Sequence, residues 1–76
     1  MEIIKLRKDY IKLGQALKAA GLAESGVDAK YAIAEGLVTV NGEVVLQRGK
    51  KLTDGDIVAF QGNVIKITGV QDGASS

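Results

Sequence analysis

The spacing of apolar and polar positions changes several times along the chain, and each change predicts an element. Residues 2–7, EIIKLR, alternate, with Ile4 and Leu6 on one side and Ile3, Lys5 and Arg7 on the other. A period of two predicts a short strand, and its charges suit a sheet edge, where they oppose unwanted pairing. At 13–20, LGQALKAA, the period lengthens. Leu13, Ala16, Leu17 and Ala20 recur at helical spacing among good helix formers, and Gly21 supplies the stop. Leu22 and Ala23 lead to a second helix. Ser25 is its N-cap, with Asp28 three residues on as in a capping box. Ala29, Ala32 and Ile33 form its apolar stripe, Lys30 lies on another face, and Gly36 ends it.

Beyond Gly36 the period returns to two. Val38 and Val40 share a face, Asn41-Gly42 fits a type I′ turn, and Val44 and Leu46 share a face on the return strand. Thr53-Asp54-Gly55-Asp56 reads as a turn. Residues 57–60 and 63–68 read as strands joined around Gln61-Gly62, with Ile65 and Ile67 toward the core and Lys66 outward. Two helices followed by a run of strands predict an α+β fold: two short helices packed on a small, mostly antiparallel sheet of about four to five strands. Residues 1–70 are expected to form a single domain. Residues 71–76, small and polar, are expected to be a disordered tail.

Composition narrows the chemistry. The chain of 76 residues has no Cys, so disulfides and thiolate metal sites are excluded. It has no His, and its nine acids are scattered apart from Asp54 and Asp56 in the turn. No metal site, cofactor or catalytic activity is expected. No apolar run approaches the roughly 20 residues of a membrane span. The first ten residues, MEIIKLRKDY, lack the apolar run of a signal peptide. The expectation is a cytoplasmic protein that makes no membrane contact.

Net charge is only +1, but it is unevenly spread. Residues 1–18 carry +3, 19–46 carry −3, the pentapeptide QRGKK at 47–51 carries +3, and 52–76 carry −2. Segregation of this kind can build a basic face on a nearly neutral molecule, and local potential captures a polyanion better than net charge. The hairpin fixes where its return strand ends, and Arg48, Lys50 and Lys51 begin there. Lys30 sits on the helix that feeds the same hairpin. Arg7, Lys8 and Lys12, in the basic N-terminal segment, are candidates to complete the face, and the sequence leaves their placement open. Tyr10 and Tyr31 are able either to stack on bases or to cover a thin core, and the sequence leaves that choice open.

Residues 17–44, LKAAGLAESGVDAKYAIAEGLVTVNGEV, resemble the RNA-binding domain named after small-subunit ribosomal protein four, the S-four domain or alpha-L motif. The shared positions are Ser25, Ala29, Ile33, Gly36, Val38, Val40, Asn41 and Gly42. Gly49, Lys51 and Gly55-Asp56-Ile57 fit the closing strands. The likeness spans about residues 10–60 and is greatest to small stand-alone bacterial members. It implies a non-catalytic module that grips structured RNA, ribosomal or transfer RNA, with a helix–hairpin corner. It implies contacts at the second helix's start, including Ser25 and Lys30, at Asn41 in the hairpin, and at Arg48, Lys50 and Lys51 beyond it. Family members commonly carry Arg after that Ser, whereas this chain has Gly26, and Asp28 adds negative charge there. More of the binding is therefore expected from Lys30, Arg48, Lys50 and Lys51. Ribosomal or RNA-processing proteins are further expected partners of a monomer. The alternative reading is a protein-interaction adaptor associated with ribosomes or an RNA-processing enzyme, which the low net charge favours.

Overall fold

The computed structural model describes residues 2–69, so the expected tail at 71–76 and the boundary at residue 70 lie outside the described residues. The chain runs β1 (Glu2–Lys5), β2 (Ile11–Lys12), α1 (Leu13–Ala19), α2 (Gly26–Ala34), β3 (Val38–Val40), β4 (Glu43–Val44), β5 (Lys51–Leu52), β6 (Ile57–Phe60) and β7 (Asn63–Thr68). Five strands form one sheet in the order β1-β7-β6-β3-β4. All its pairings are antiparallel except β1 with β7. The expected α+β class holds, and β1 occupies the expected edge.

Two departures from the sequence reading matter. β2 and β5, unforeseen, form a separate two-stranded ladder with Ile11 opposite Leu52 and Lys12 opposite Lys51. Two residues are too few to show a period. The pairing exists because Leu52 is fully buried and draws its neighbours to the start of α1. The first strand and the hairpin's return strand are also shorter than their alternation suggested. Val44 and Leu46 are well exposed, and it is the intervening Val45 that packs against the core and whose N–H donates back to the Val38 carbonyl (3.2 Å).

The core lies between the helices and one sheet face. Leu13, Ala16 and Leu17 of α1 and Ala29, Ala32 and Ile33 of α2 meet Val38, Val40, Val58, Phe60, Ile65 and Ile67 of the sheet. Alanines at three of these helical positions let α1 and α2 approach the sheet closely despite the scarcity of large side chains. No described residue packs across the other sheet face as a layer, and Ile3, Ile57 and Lys66 are exposed there. Across it Ile57 and Ile3 flank Lys66 in register.

Asn41-Gly42 forms the expected type I′ turn, with both residues at positive φ (54° and 86°). Gln61-Gly62 repeats the device between β6 and β7, at 50° and 80°. The first turn is also tied to the β5–β6 turn. Asn41 Nδ2 donates to Asp56 Oδ1 (3.0 Å), and Asn41 Oδ1 accepts from the Ile57 N–H (2.9 Å). Asp56 Oδ2 in turn accepts from the Thr53 N–H (2.8 Å). One asparagine thus fixes the hairpin against the strand beside it.

Candidate nucleic-acid interface

The basic loop after β4 is strapped to the start of α1. The Leu13 N–H donates to the Lys50 carbonyl (2.8 Å) and the Gly14 N–H to the Arg48 carbonyl (3.2 Å). A turn closed by the Lys50 N–H on the Gln47 carbonyl (3.2 Å) sits within the loop. These bonds satisfy N–H groups at the helix start and pin residues 48–50 in place. The Arg48 side chain then lies across Gly14. A Cβ at Gly14 would stand 2.7 Å from Arg48 Cγ, so glycine is required for this approach.

A groove of about 290 Å³ opens beside this strap. Its cationic wall is Lys12 and Lys18, from the cap and body of α1, and Arg48 from the basic loop. Gly26 and Gly49 leave backbone open along it, Gly14 lies buried beneath Arg48, and Gln15 completes the lining. The Gln15 side chain also accepts from the Lys12 N–H (3.4 Å). Gly26 opens α2, where Ser25 Oγ caps the Asp28 N–H at 3.3 Å. Lys30 lies four residues beyond Gly26 and so on the same side of α2, one turn further along. The absence of a side chain at residue 26 leaves the groove open toward α2. Lys12 also stands directly opposite Lys51 across the β2–β5 ladder. Like charges placed directly opposite cost stability. An anion bound nearby would relieve that cost.

The expected contact residues do not form one surface. Lys12 and Arg48 share the groove, whereas Lys30 does not line it and lies one turn of α2 beyond Gly26. Lys50 turns toward the hairpin and lines a separate hollow with Asn41, Glu43 and Gln47. Lys50 also lies close enough to Asp56 to act on its carboxyl. Desolvation pushes the Asp56 pKa up. Hydrogen bonds from Thr53 and Asn41, with the Lys50 charge, outweigh that and hold it below the ordinary 3.8. Lys51 sits over the Tyr10 ring, its Nζ 4.8 Å from the centroid. Arg7 and Lys8 line a third hollow with Tyr10. The side chains of Ser25 and Asn41 are engaged within the fold. Lys18 and Gln15 were absent from the sequence reading. The signal for Lys18 was spacing: it follows Gly14 by four residues, on the helix face over which Arg48 lies.

Short paired helices feeding a hairpin, with a basic loop returned to the first helix, define an S4-type fold. Residues 4–68 match the S4 domain family, and the chain belongs to it. YbcJ of Escherichia coli (strain K12) is 40% identical over 58 residues, 76% of this chain and 83% of YbcJ. A Bacillus subtilis (strain 168) protein, whose name reads "Probable ribosome maturation protein RlbA", is 42% identical over 59 residues, 78% of this chain and 83% of that protein. The solution structure of E. coli YbcJ, described as revealing an αL motif involved in RNA-binding, superposes with a TM-score of 0.70 at 38% identity. That match covers 90% of this chain and 87% of YbcJ. These relatives are named for RNA binding and ribosome maturation and not for a reaction, in keeping with a non-catalytic chain.

Proposed function

We propose that this protein binds structured RNA by seating backbone phosphates in the groove between α1, α2 and the 48–50 loop. The observation that carries the reading is the convergence of Lys12 and Lys18, from the cap and body of α1, with Arg48 of the distant 48–50 loop on one groove, with backbone open at Gly26 and Gly49. Flexible lysines supply point charge. Arg48 is held across Gly14 and offers a fixed fork suited to phosphate oxygens. Contacts of this kind position RNA by its shape and backbone, with little reading of sequence. Lys30 extends the track by one helical turn. The YbcJ description and membership of the S4 domain family support RNA as the ligand, and the RlbA name supports a part in ribosome maturation, with ribosomal RNA the proposed target.

The test measures affinity for a fluorescent structured RNA at several salt concentrations. Each phosphate neutralised contributes about 0.7–0.9 to the slope of log affinity against log salt. The variant K12Q/K18Q/R48Q should lose about 2–3 of that slope and bind weakly while remaining folded. Replacing Lys66, on the bare sheet face, should leave the slope unchanged. A triple variant with wild-type affinity and slope would refute the assignment. Crosslinking in cells followed by sequencing of the bound RNA would test ribosomal RNA as the target, and enrichment of other RNAs alone would refute that part.

A further inference from the structure

The hollow lined by Arg7, Lys8 and Tyr10, of about 500 Å³, lies beside the groove between α1 and the β1–β2 segment. Its character is different. Ile4, Leu6 and Ile11 give it an apolar floor, and Tyr10 contributes an aromatic wall. Arg7 and Lys8 stand among the residues around it, and none of its lining residues is acidic. Tyr10 is 39% exposed, although it sits on a chain with very few aromatic side chains. Lys51, which does not line the hollow, covers the Tyr10 ring from 4.8 Å and so helps to fix its orientation.

Gln15 borders both spaces, the phosphate groove on one side and this cleft on the other. Lys12 on the groove is paired across the ladder with Lys51, which holds the tyrosine. An RNA strand seated by its phosphates on Lys12 and Lys18 therefore passes the mouth of an apolar, aromatic-walled cleft with cations nearby. A paired base cannot enter such a cleft because its face is stacked in the helix. An unpaired base can, and every base presents a π-face to a tyrosine.

We propose that this cleft receives one unpaired nucleobase, stacked on Tyr10, of an RNA whose backbone lies in the adjoining groove. The inference rests on the RNA-binding reading above and adds to it a preference for RNA with a loop, bulge or end over plain duplex. Phosphates in the groove give affinity, and the cleft gives discrimination by RNA secondary structure.

The test compares two probes: a blunt RNA duplex, and a hairpin of the same stem closed by an unpaired loop containing 2-aminopurine. Wild-type protein should prefer the hairpin and change the 2-aminopurine emission. Tyr10→Ala should weaken hairpin binding at least about five-fold, leave duplex binding and the salt slope unchanged, and abolish the emission change. Tyr10→Phe should behave as wild type, because the ring is kept. Tyr10→Leu, which keeps apolar cover over the core, should behave as the alanine variant and so separates stacking from folding. If both probes bind but are indifferent to Tyr10, the cleft assignment fails and the groove stands. If neither probe binds, both readings fail. Displacement of a fluorescent polyglutamate peptide by wild type but not Tyr10→Ala, with hairpin binding indifferent to Tyr10, would give the cleft to an acidic protein segment instead.

Discussion

Replacing Asn41 with alanine should damage the fold and spare the RNA interface. The size of the effect follows from what the side chain does. It donates to Asp56 Oδ1 at 3.0 Å and accepts from the Ile57 N–H at 2.9 Å. Each such bond contributes about 0.5–1.5 kcal/mol net, with the one to a carboxylate toward the upper end. Its backbone also sits at φ 54°, where alanine is disfavoured by about 1 kcal/mol or more and asparagine is tolerated. The total for Asn41→Ala is therefore about 2–4 kcal/mol. A domain of this size has only about 4–11 kcal/mol of stability in all. A loss of 2 kcal/mol corresponds to about 8–16 °C in Tm. Urea and thermal unfolding followed by far-ultraviolet circular dichroism measure it directly. Asn41→Gly removes both side-chain bonds but suits positive φ, so it should be less destabilised than Asn41→Ala by about 1 kcal/mol. At a temperature where both variants are folded, RNA affinity should match wild type. An alanine variant within about 0.5 kcal/mol of wild type would refute the bonding argument. Equal losses in the two variants would refute the backbone argument. A stable variant that no longer binds RNA would make Asn41 a contact residue after all.

The remaining predictions concern the strap, the acid range and the bare sheet face. Gly14→Ala should leave the domain folded, since alanine is favoured over glycine in a helix by about 1 kcal/mol. It should nonetheless weaken RNA binding, measured by fluorescence anisotropy, because the new Cβ would stand 2.7 Å from Arg48 Cγ and move that side chain with its charge intact. Unchanged affinity would show that the position of Arg48 is immaterial. Asp56 has a folded pKa below 3.8, so its contribution to stability is full above that value and is lost as pH falls through the lower, folded value. Urea midpoints measured down through this acid range should fall more steeply for wild type than for Asp56→Asn, and parallel curves would refute the linkage. Lys66→Ile should join Ile57 and Ile3 into an unbroken apolar strip and cause self-association, visible in light scattering, while secondary structure is kept. A monomeric variant at high concentration would refute it.

Much of the fold was legible because its signals are local. Ser25 caps α2, Asn41-Gly42 turns the hairpin, and the alternation at 63–68 puts Ile65 and Ile67 in the core. What was not legible depends on contacts between distant segments. The β2–β5 ladder joins two-residue strands some forty positions apart, and neither has a pattern of its own. The site suffered from the same limit. The cluster Arg48-Gly49-Lys50-Lys51 was visible, but its dispersal was not. The turn at 47–50 sends Arg48 to the groove, Lys50 toward Asn41 and Asp56, and Lys51 onto Tyr10. Neighbours in a basic run need not share a surface once a turn runs through it. Asn41 was ambiguous for another reason. A turn asparagine and a contact asparagine are identical in sequence, and only the distances to Asp56 and Ile57 show where the amide is engaged.

The parallel pairing of β1 with β7 bears on when each part of the surface comes into being. Glu2 lies in register with Ile65 and Lys5 with Thr68, so the first strand has no partner until the sequence beyond residue 60 has been made. Synthesis runs from the N-terminus, and contacts between distant positions form late. Both helices and the Asn41-Gly42 hairpin need only nearby residues and are free to form earlier. The phosphate groove draws on residues no later than Gly49, whereas the Tyr10 cleft takes Ile4 from β1 and hangs from it. All the lining residues of the proposed phosphate groove are thus made before β1 has its partner, while the core that holds α1 and α2 on the sheet also waits for Ile65 and Ile67. On the proposed reading, the cleft for an unpaired base is complete only once the sheet has closed.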